Sequence, residues 1–150
     1  MRERINAALK QAMLDRAKDR LATLRLVNAA IKDRDIAVRS EGNSDGIPNA
    51  DILAVLAKMV KQRMDSATIY EEAGRLELAE QERGEIEVIE EFLPKQLSEN
   101  ETRAAVQKAI SDTGADSIRD MGRVMGALKA AYAGQMDFGK AGGAVKELLA

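Results

Sequence analysis

The chain has 150 residues, with 23 Lys and Arg against 25 Asp and Glu, a formal net charge of −2 and 3% aromatic residues. It contains neither Cys nor His, which excludes a disulfide framework, a thiolate metal site and the commonest general base. No apolar run is long enough to span a membrane and the amino terminus lacks a signal-peptide core, so a soluble cytoplasmic protein with no membrane partner is expected.

Apolar spacing is helical along nearly the whole chain, and no segment alternates with a strand period. Ile5, Leu9, Ala12 and Met13 form a first stripe, and Leu24, Val27, Ile31 and Val38 a second. The run "EGNSDGIPN" interrupts the pattern with Gly42, Gly46 and Pro48. Ile52, Val55, Leu56, Met59, Val60 and Tyr70 then predict a long helix opening near Pro48 or Asn49. Leu76, Ala79, Ile86, Ile89 and Leu93 predict a fourth helix stopped by Pro94. Within it, Gly84 predicts a bend or a close neighbour.

Beyond Pro94, Ser98 and Glu101 fit a capping box, as do Ser117 and Asp120. They predict one helix bearing Val106 and Ile110, and another bearing Met121, Val124, Met125, Leu128 and Tyr132. Gly134 suits the position just past the latter. Asp137 is the predicted cap of a last helix containing Val145, Leu148 and Leu149. The expectation is an all-α chain in two parts, with about four helices over 1–95 and three short ones over 96–150.

Charge is uneven. Residues 1–40 are net +5, 41–70 net −1, 71–101 net −8 and 102–150 net +2. Solvated helix faces account for this without a binding role. "EGNSDGI" resembles a calcium loop superficially, but aligning Gly46 at its sixth position puts Ile52 where the bidentate carboxylate belongs. There is no GxxxxGK[ST] motif and no GxGxxG after a strand. The glutamates of 71–91 lack the Glu-x-x-His partner that four-helix metal sites use. No metal, no cofactor and no autonomous catalysis are expected.

The segment 117–150 carries Gly122, Gly126, Gly134, Gly139, Gly142 and Gly143 in a helical pattern. A helix-interior glycine costs ~1 kcal/mol relative to alanine. Gly122 and Gly126, four apart, share one face and admit a close neighbour. The preferred reading is internal packing of the short helices across that face. The second is docking of a rigid partner such as an RNA backbone, since Arg123, Lys129, Lys140 and Lys146 lie in the same part and can neutralise phosphates. A membrane GxxxG motif fails because Asp120, Arg123 and Lys129 interrupt any apolar span.

The stretches "LRLVNAAIKDRDIA", "VLAKMVKQRMDSATIYEEAGRLELAEQERGEIEVIEEFLPKQLSENE" and "DMGRVMGALKAAYAG" together resemble the YqeY family, in order and over almost the whole chain. The carboxy-terminal part of that family is similar to the tail domain of the B subunit of glutamine-dependent aspartyl/glutamyl-tRNA amidotransferase. The resemblance implies a helical amino-terminal domain followed by a three-helix tail-like domain. It implies a tRNA-holding role for the tail, and it directs interest to Met121, Gly122, Val124, Met125 and Gly126, with Lys146 in the terminal "VKELL" block. The family's label of carbon–nitrogen ligase with glutamine as amido-N-donor reads as inherited from the shared tail, because this chain has no amidase nucleophile.

Three functions follow as expectations. The first is a non-catalytic tRNA- or RNA-binding accessory protein using Arg123, Lys129, Lys140 and Lys146, with the basic first helices contributing. The second is a protein–protein adaptor docking a partner through the acidic hairpin of residues 71–93. The third is an accessory component of an amidotransferase reaction carried out by other chains. No DNA partner is expected.

Overall fold

The stripes become seven α-helices among the described residues, which in the computed structural model are 1–42 and 44–150. Asn43, inside the interruption between the second and third stripes, lies outside them. By chain contacts the molecule divides into two compact units, Met1–Leu93 and Pro94–Ala150.

The first unit holds α1 (Arg2–Leu14), α2 (Lys18–Arg39), α3 (Asn49–Glu72) and α4 (Leu76–Glu90). Its core is built from Ile5, Leu24, Val27, Ile31, Ile52, Leu56 and Ile89, with Phe92 just past α4. Pro48 stands at the N-cap of α3, where its missing N–H leaves no helical bond unmade. The apolar residues at helical spacing are therefore buried or half-buried, with three exceptions. Met13, Leu76 and, in the second unit, Leu148 are 53%, 63% and 46% exposed. Met13 and Leu148 each adjoin a buried residue, Ala12 and Leu149, and neighbours in sequence point about 100° apart on a helix, so one seam does not take both. Leu76 is the first residue of α4, beside the Gly74 turn.

Polar contacts set the register of this unit. Arg2 donates to both Asp35 oxygens at 2.8 and 2.7 Å and to the Ile47 carbonyl at 3.0 Å. The Ile47 amide donates back to Asp35 at 2.8 Å. Gly46, at φ +85°, closes over this cluster, and a Cβ there would stand 2.9 Å from Arg2 Nη2 and from Asp35 Oδ1. Arg4 donates to the Glu91 carbonyl at 2.7 Å and lies over the Phe92 ring. Arg20 pairs with Glu91. The basic first helices thus place Arg2, Arg4 and Arg20 in contacts within the unit. Between α3 and α4, Arg63 donates to Glu85 at 2.8 Å with both side chains largely buried, and to the Met59 carbonyl at 3.2 Å. Burial, then the neighbouring Glu85, raises the Glu82 carboxyl above its usual range.

The second unit holds α5 (Glu99–Thr113), a 3-10 turn (Ile118–Asp120), α6 (Met121–Tyr132) and α7 (Phe138–Leu149). The Ser98–Glu101 capping box is formed in both directions at 3.1 Å. Asp137 caps α7 through the Gly139 and Lys140 amides, and Gly134 turns the chain after α6 at φ +75°. The second expected capping box does not form. Ser117 makes no side-chain cap bond, and Asp120 instead accepts from the Asp116 amide at 3.1 Å and from Arg123 at 2.8 Å. The 3-10 turn takes the place of the first turn of helix. Leu97 N donates to Gln135 O at 2.8 Å, and Gln96 donates to Gly134 O, so the entry to α5 is tied to the α6–α7 turn. Val106, Val124, Leu128, Ala141 and Val145 fill the centre.

Two outcomes follow for stability. The Arg2 guanidinium, then the Ile47 amide, holds the Asp35 carboxyl down at about 2. A depressed carboxylate contributes stability that is complete above its unfolded value and is lost as pH falls toward its folded one. Asp35→Asn is expected to cost about 1–2 kcal/mol near neutrality, discounted for the partial exposure of Arg2, and to flatten the acid limb of a denaturation series between pH 5 and 2. Arg63→Ala leaves Glu82 and Glu85 together without their cation. It is expected to cost about 3 kcal/mol. A carboxyl with a raised pKa loses stability as pH rises through its window, so this deficit is smaller at pH 5 than at pH 8, as urea denaturation at the two values reads out.

Candidate nucleic-acid interface

Helical geometry decides what the glycines of α6 and α7 meet. Met121 and Met125 lie against Gly142, with Cε atoms 3.6 and 3.9 Å from where its Cβ would be. That contact fixes which sides of the two helices adjoin. Moving outward from the methionines on α6, the next positions are Lys129, Gly122 and Gly126. Moving outward from Gly142 on α7, they are Lys146, Gly139 and Gly143. By this helical geometry the two sets flank, as two shoulders, the seam where Met121 and Met125 meet Gly142.

The expected internal packing across Gly122 and Gly126 is not what the fold does. Both are exposed, and a Cβ added at either, or at Gly143, meets nothing within 4 Å. At Gly142 the methionine contact is an ordinary one that alanine accommodates. Gly139 is different, because its Cβ would fall 3.1 Å from the capping Asp137 oxygen. Three glycines of these helices therefore open onto solvent with no steric reason for lacking a side chain. Val124, by contrast, is fully buried, and Met121 and Met125 are half-buried.

The four expected cations are all exposed but are not brought together equally. Lys129 and Lys146 stand on the two shoulders. Arg123 lies further round α6, beyond Gly126, and is held by Asp120. Lys140 lies on the far side of α7, near the position of Glu147, which bonds Arg103 of α5 at 3.4 Å. Lys129, Lys140 and Lys146 have no ion pair among the described residues. Lys140 thus stands away from Lys129 and Lys146, as Arg123 does on α6.

A signal for this arrangement is present in the chain and easily overlooked. "GRVMGALK" at 122–129 and "GKAGGAVK" at 139–146 share glycine at the first and fifth positions, a cation at the second, alanine at the sixth and lysine at the eighth. The period of four and seven puts both glycines and the final lysine on one helix face. The two copies put matching faces on the two shoulders.

The acidic hairpin forms as α3 and α4, and α4 carries six glutamates against one arginine. Glu87 and Glu90 point to solvent. Gly84 neither bends α4 out of helix nor touches a neighbour, since nothing lies within 4 Å of its Cβ position. Among the described residues no three His, Cys, Asp or Glu side chains gather as metal ligands, and no helix is long and apolar enough to cross a membrane.

Known proteins resemble this chain as follows. The family model described as Yqey-like protein matches residues 2–149. An uncharacterized protein of Schizosaccharomyces pombe is 30% identical over 94 residues, which are 63% of this chain and 72% of the relative. A protein of Clavispora lusitaniae named altered inheritance of mitochondria protein 41, mitochondrial, is 34% identical over 85 residues, 57% of this chain. The match spans 46% of that relative's length.

An exposed glycine with free space in a helix interior is destabilising, so its replacement is expected to stabilise. Gly126→Ala should add ~0.5–1 kcal/mol and Gly122→Ala, in the first turn of α6, less, each read as a raised melting temperature. Gly46→Ala, with its positive φ and crowded Cβ, should lower it.

Proposed function

Since the chain belongs to the YqeY family across residues 2–149, we propose that its carboxy-terminal unit is a non-catalytic RNA-binding module for tRNA-like molecules. The observation that carries this reading is the pair of glycine-lined shoulders, each bearing a lysine without an ion pair. A bare helix face lets a sugar–phosphate backbone lie close to the peptide chain, and Lys129 and Lys146 then reach phosphate oxygens from either side. The resemblance of this unit to an amidotransferase tail supports the same assignment.

The chemistry limits what such a module reads. Tyr132 and Phe138 are both half-buried against the core, so the shoulders hold no free aromatic platform for base stacking. Recognition rests on backbone shape and charge. A few phosphate contacts give a modest salt slope, with each neutralised phosphate adding ~0.7–0.9.

The test is a titration of total tRNA into the purified chain over a salt series. Saturable binding that weakens with salt, disappears in Lys129→Glu/Lys146→Glu and persists in Lys140→Glu is the expected result. Gly122→Ala/Gly126→Ala should bind more weakly while melting higher, which separates contact from folding. Absence of binding at low salt, or binding indifferent to Lys129→Glu/Lys146→Glu, overturns the assignment.

A further inference from the structure

The first unit contains a second surface that its own packing does not explain. An open groove of about 540 Å³ runs between the start of α2 and the outer side of α4. Ala22 and Val88 give it apolar lining, Gly84 stands along it, and Asp19, Glu77 and Glu80 stand around it. Glu77, Gln81, Gly84 and Val88 follow one another at helical spacing along a single face of α4. That face is distinct from the one carrying Ala79, Ile86 and Ile89 into the unit.

Three features characterise the groove. Its volume falls within the range of sites that take a ligand or an inserted side chain, about 300–1,000 Å³. Gly84 is an exposed, mid-helix glycine with nothing within 4 Å of its Cβ position, so any larger residue would project into open space along the groove. The carboxylates of Asp19, Glu77 and Glu80 have no ion pair among the described residues, while the neighbouring Arg20, Arg63 and Arg83 are already bound to Glu91, Glu85 and Glu71. The guanidiniums nearby are thus bound to other carboxylates, and of the three around the groove only Glu80 also feels one of them, Arg83, through space.

We infer that this groove receives a basic amphipathic helix of a partner protein. A third helix laid against α2 and α4 covers Ala22 and Val88 with its apolar face. The absent side chain at Gly84 lets it approach closely, and its lysines or arginines reach Asp19, Glu77 and Glu80. Charge complementarity selects a cationic occupant and rejects an acidic one. The inference concerns α2 and α4 alone and stands or falls apart from RNA binding by α6 and α7.

The experiment uses the full chain and a fluorescein-labelled synthetic amphipathic helix of about five turns with Lys and Arg on its polar face. The same peptide with Glu at those positions is the control. The cationic peptide is expected to bind saturably and the acidic one not at all. Gly84→Leu keeps every charge, favours the helix and obstructs the groove, so it should weaken binding about tenfold or more with an unchanged far-ultraviolet spectrum. Glu77→Gln/Glu80→Gln should weaken it in a salt-dependent way. No binding of the cationic peptide, or binding indifferent to Gly84→Leu, overturns the inference, the latter by showing attraction to acidic surface alone. Sedimentation of the chain alone covers the remaining occupant: a dimer that Gly84→Leu dissociates assigns the groove to a second copy and overturns the partner reading.

Discussion

The planar fork of Arg2 on Asp35 brings together three segments that no apolar stripe would align. The two residues lie 33 positions apart, and the loop reaching Ile47 is held by the same pair through one carbonyl and one amide. With few aromatic side chains, the core of this unit is mostly aliphatic, and aliphatic stripes on helices slide with little penalty. A bidentate charge-assisted contact is directional and opposes such sliding. The start of α1, the later part of α2 and the entry to α3 are thereby fixed, and Gly46 is the residue that lets the backbone close over the contact. Arg4 against Glu91 and Phe92, and Arg63 against Glu85, extend the same logic to α4. Glu85 also lines the groove beside Gly84, so the Arg63 contact holds one wall of it.

The second unit inverts the usual relation between glycine and packing. Helix-interior glycines are normally read as places where another backbone comes close. Here the close backbone is absent from the chain itself, while helix propensity is lost at Gly122, Gly126 and Gly143 without internal gain. A stability optimum would place alanine at each. Retaining glycine on two facing shoulders, each next to a lysine, is consistent with a contact made outside the fold. Gly84 in α4 stands in the same position energetically, with carboxylates around it instead of cations.

Much of this was readable from spacing alone. The helices, the Ser98–Glu101 box, the Asp137 cap and the Gly134 turn are local, and local chemistry determines them. The Arg2–Asp35 contact was not readable, because no periodicity links residues so far apart. The Ser117–Asp120 pair misled because an aspartate three residues on has a competing partner in the Asp116 amide, and a 3-10 turn satisfies both. The glycines misled for a deeper reason. A Gly-x-x-x-Gly spacing states which face is smooth but not whether that face is turned inward, and only Met121 and Met125 against Gly142 resolve the direction. Lys140 and Lys146 stand near one another in sequence, yet six positions of helix set them about 120° apart.

Charge arithmetic constrains how the glycine-lined shoulders can act. The whole chain is net −2 and residues 71–101 alone are net −8. Long-range attraction to a polyanion is therefore weak, and beyond about one Debye length it is screened. A few lysines act only once the anion is already within contact distance. Close approach then matters more than charge number, because Coulomb energy between two ions rises as their separation falls. Glycine at the neighbouring positions shortens that separation by removing the side chains that would hold the anion away. On the proposed reading, a ligand with a rigid surface is therefore favoured over a flexible polyanion collected by charge.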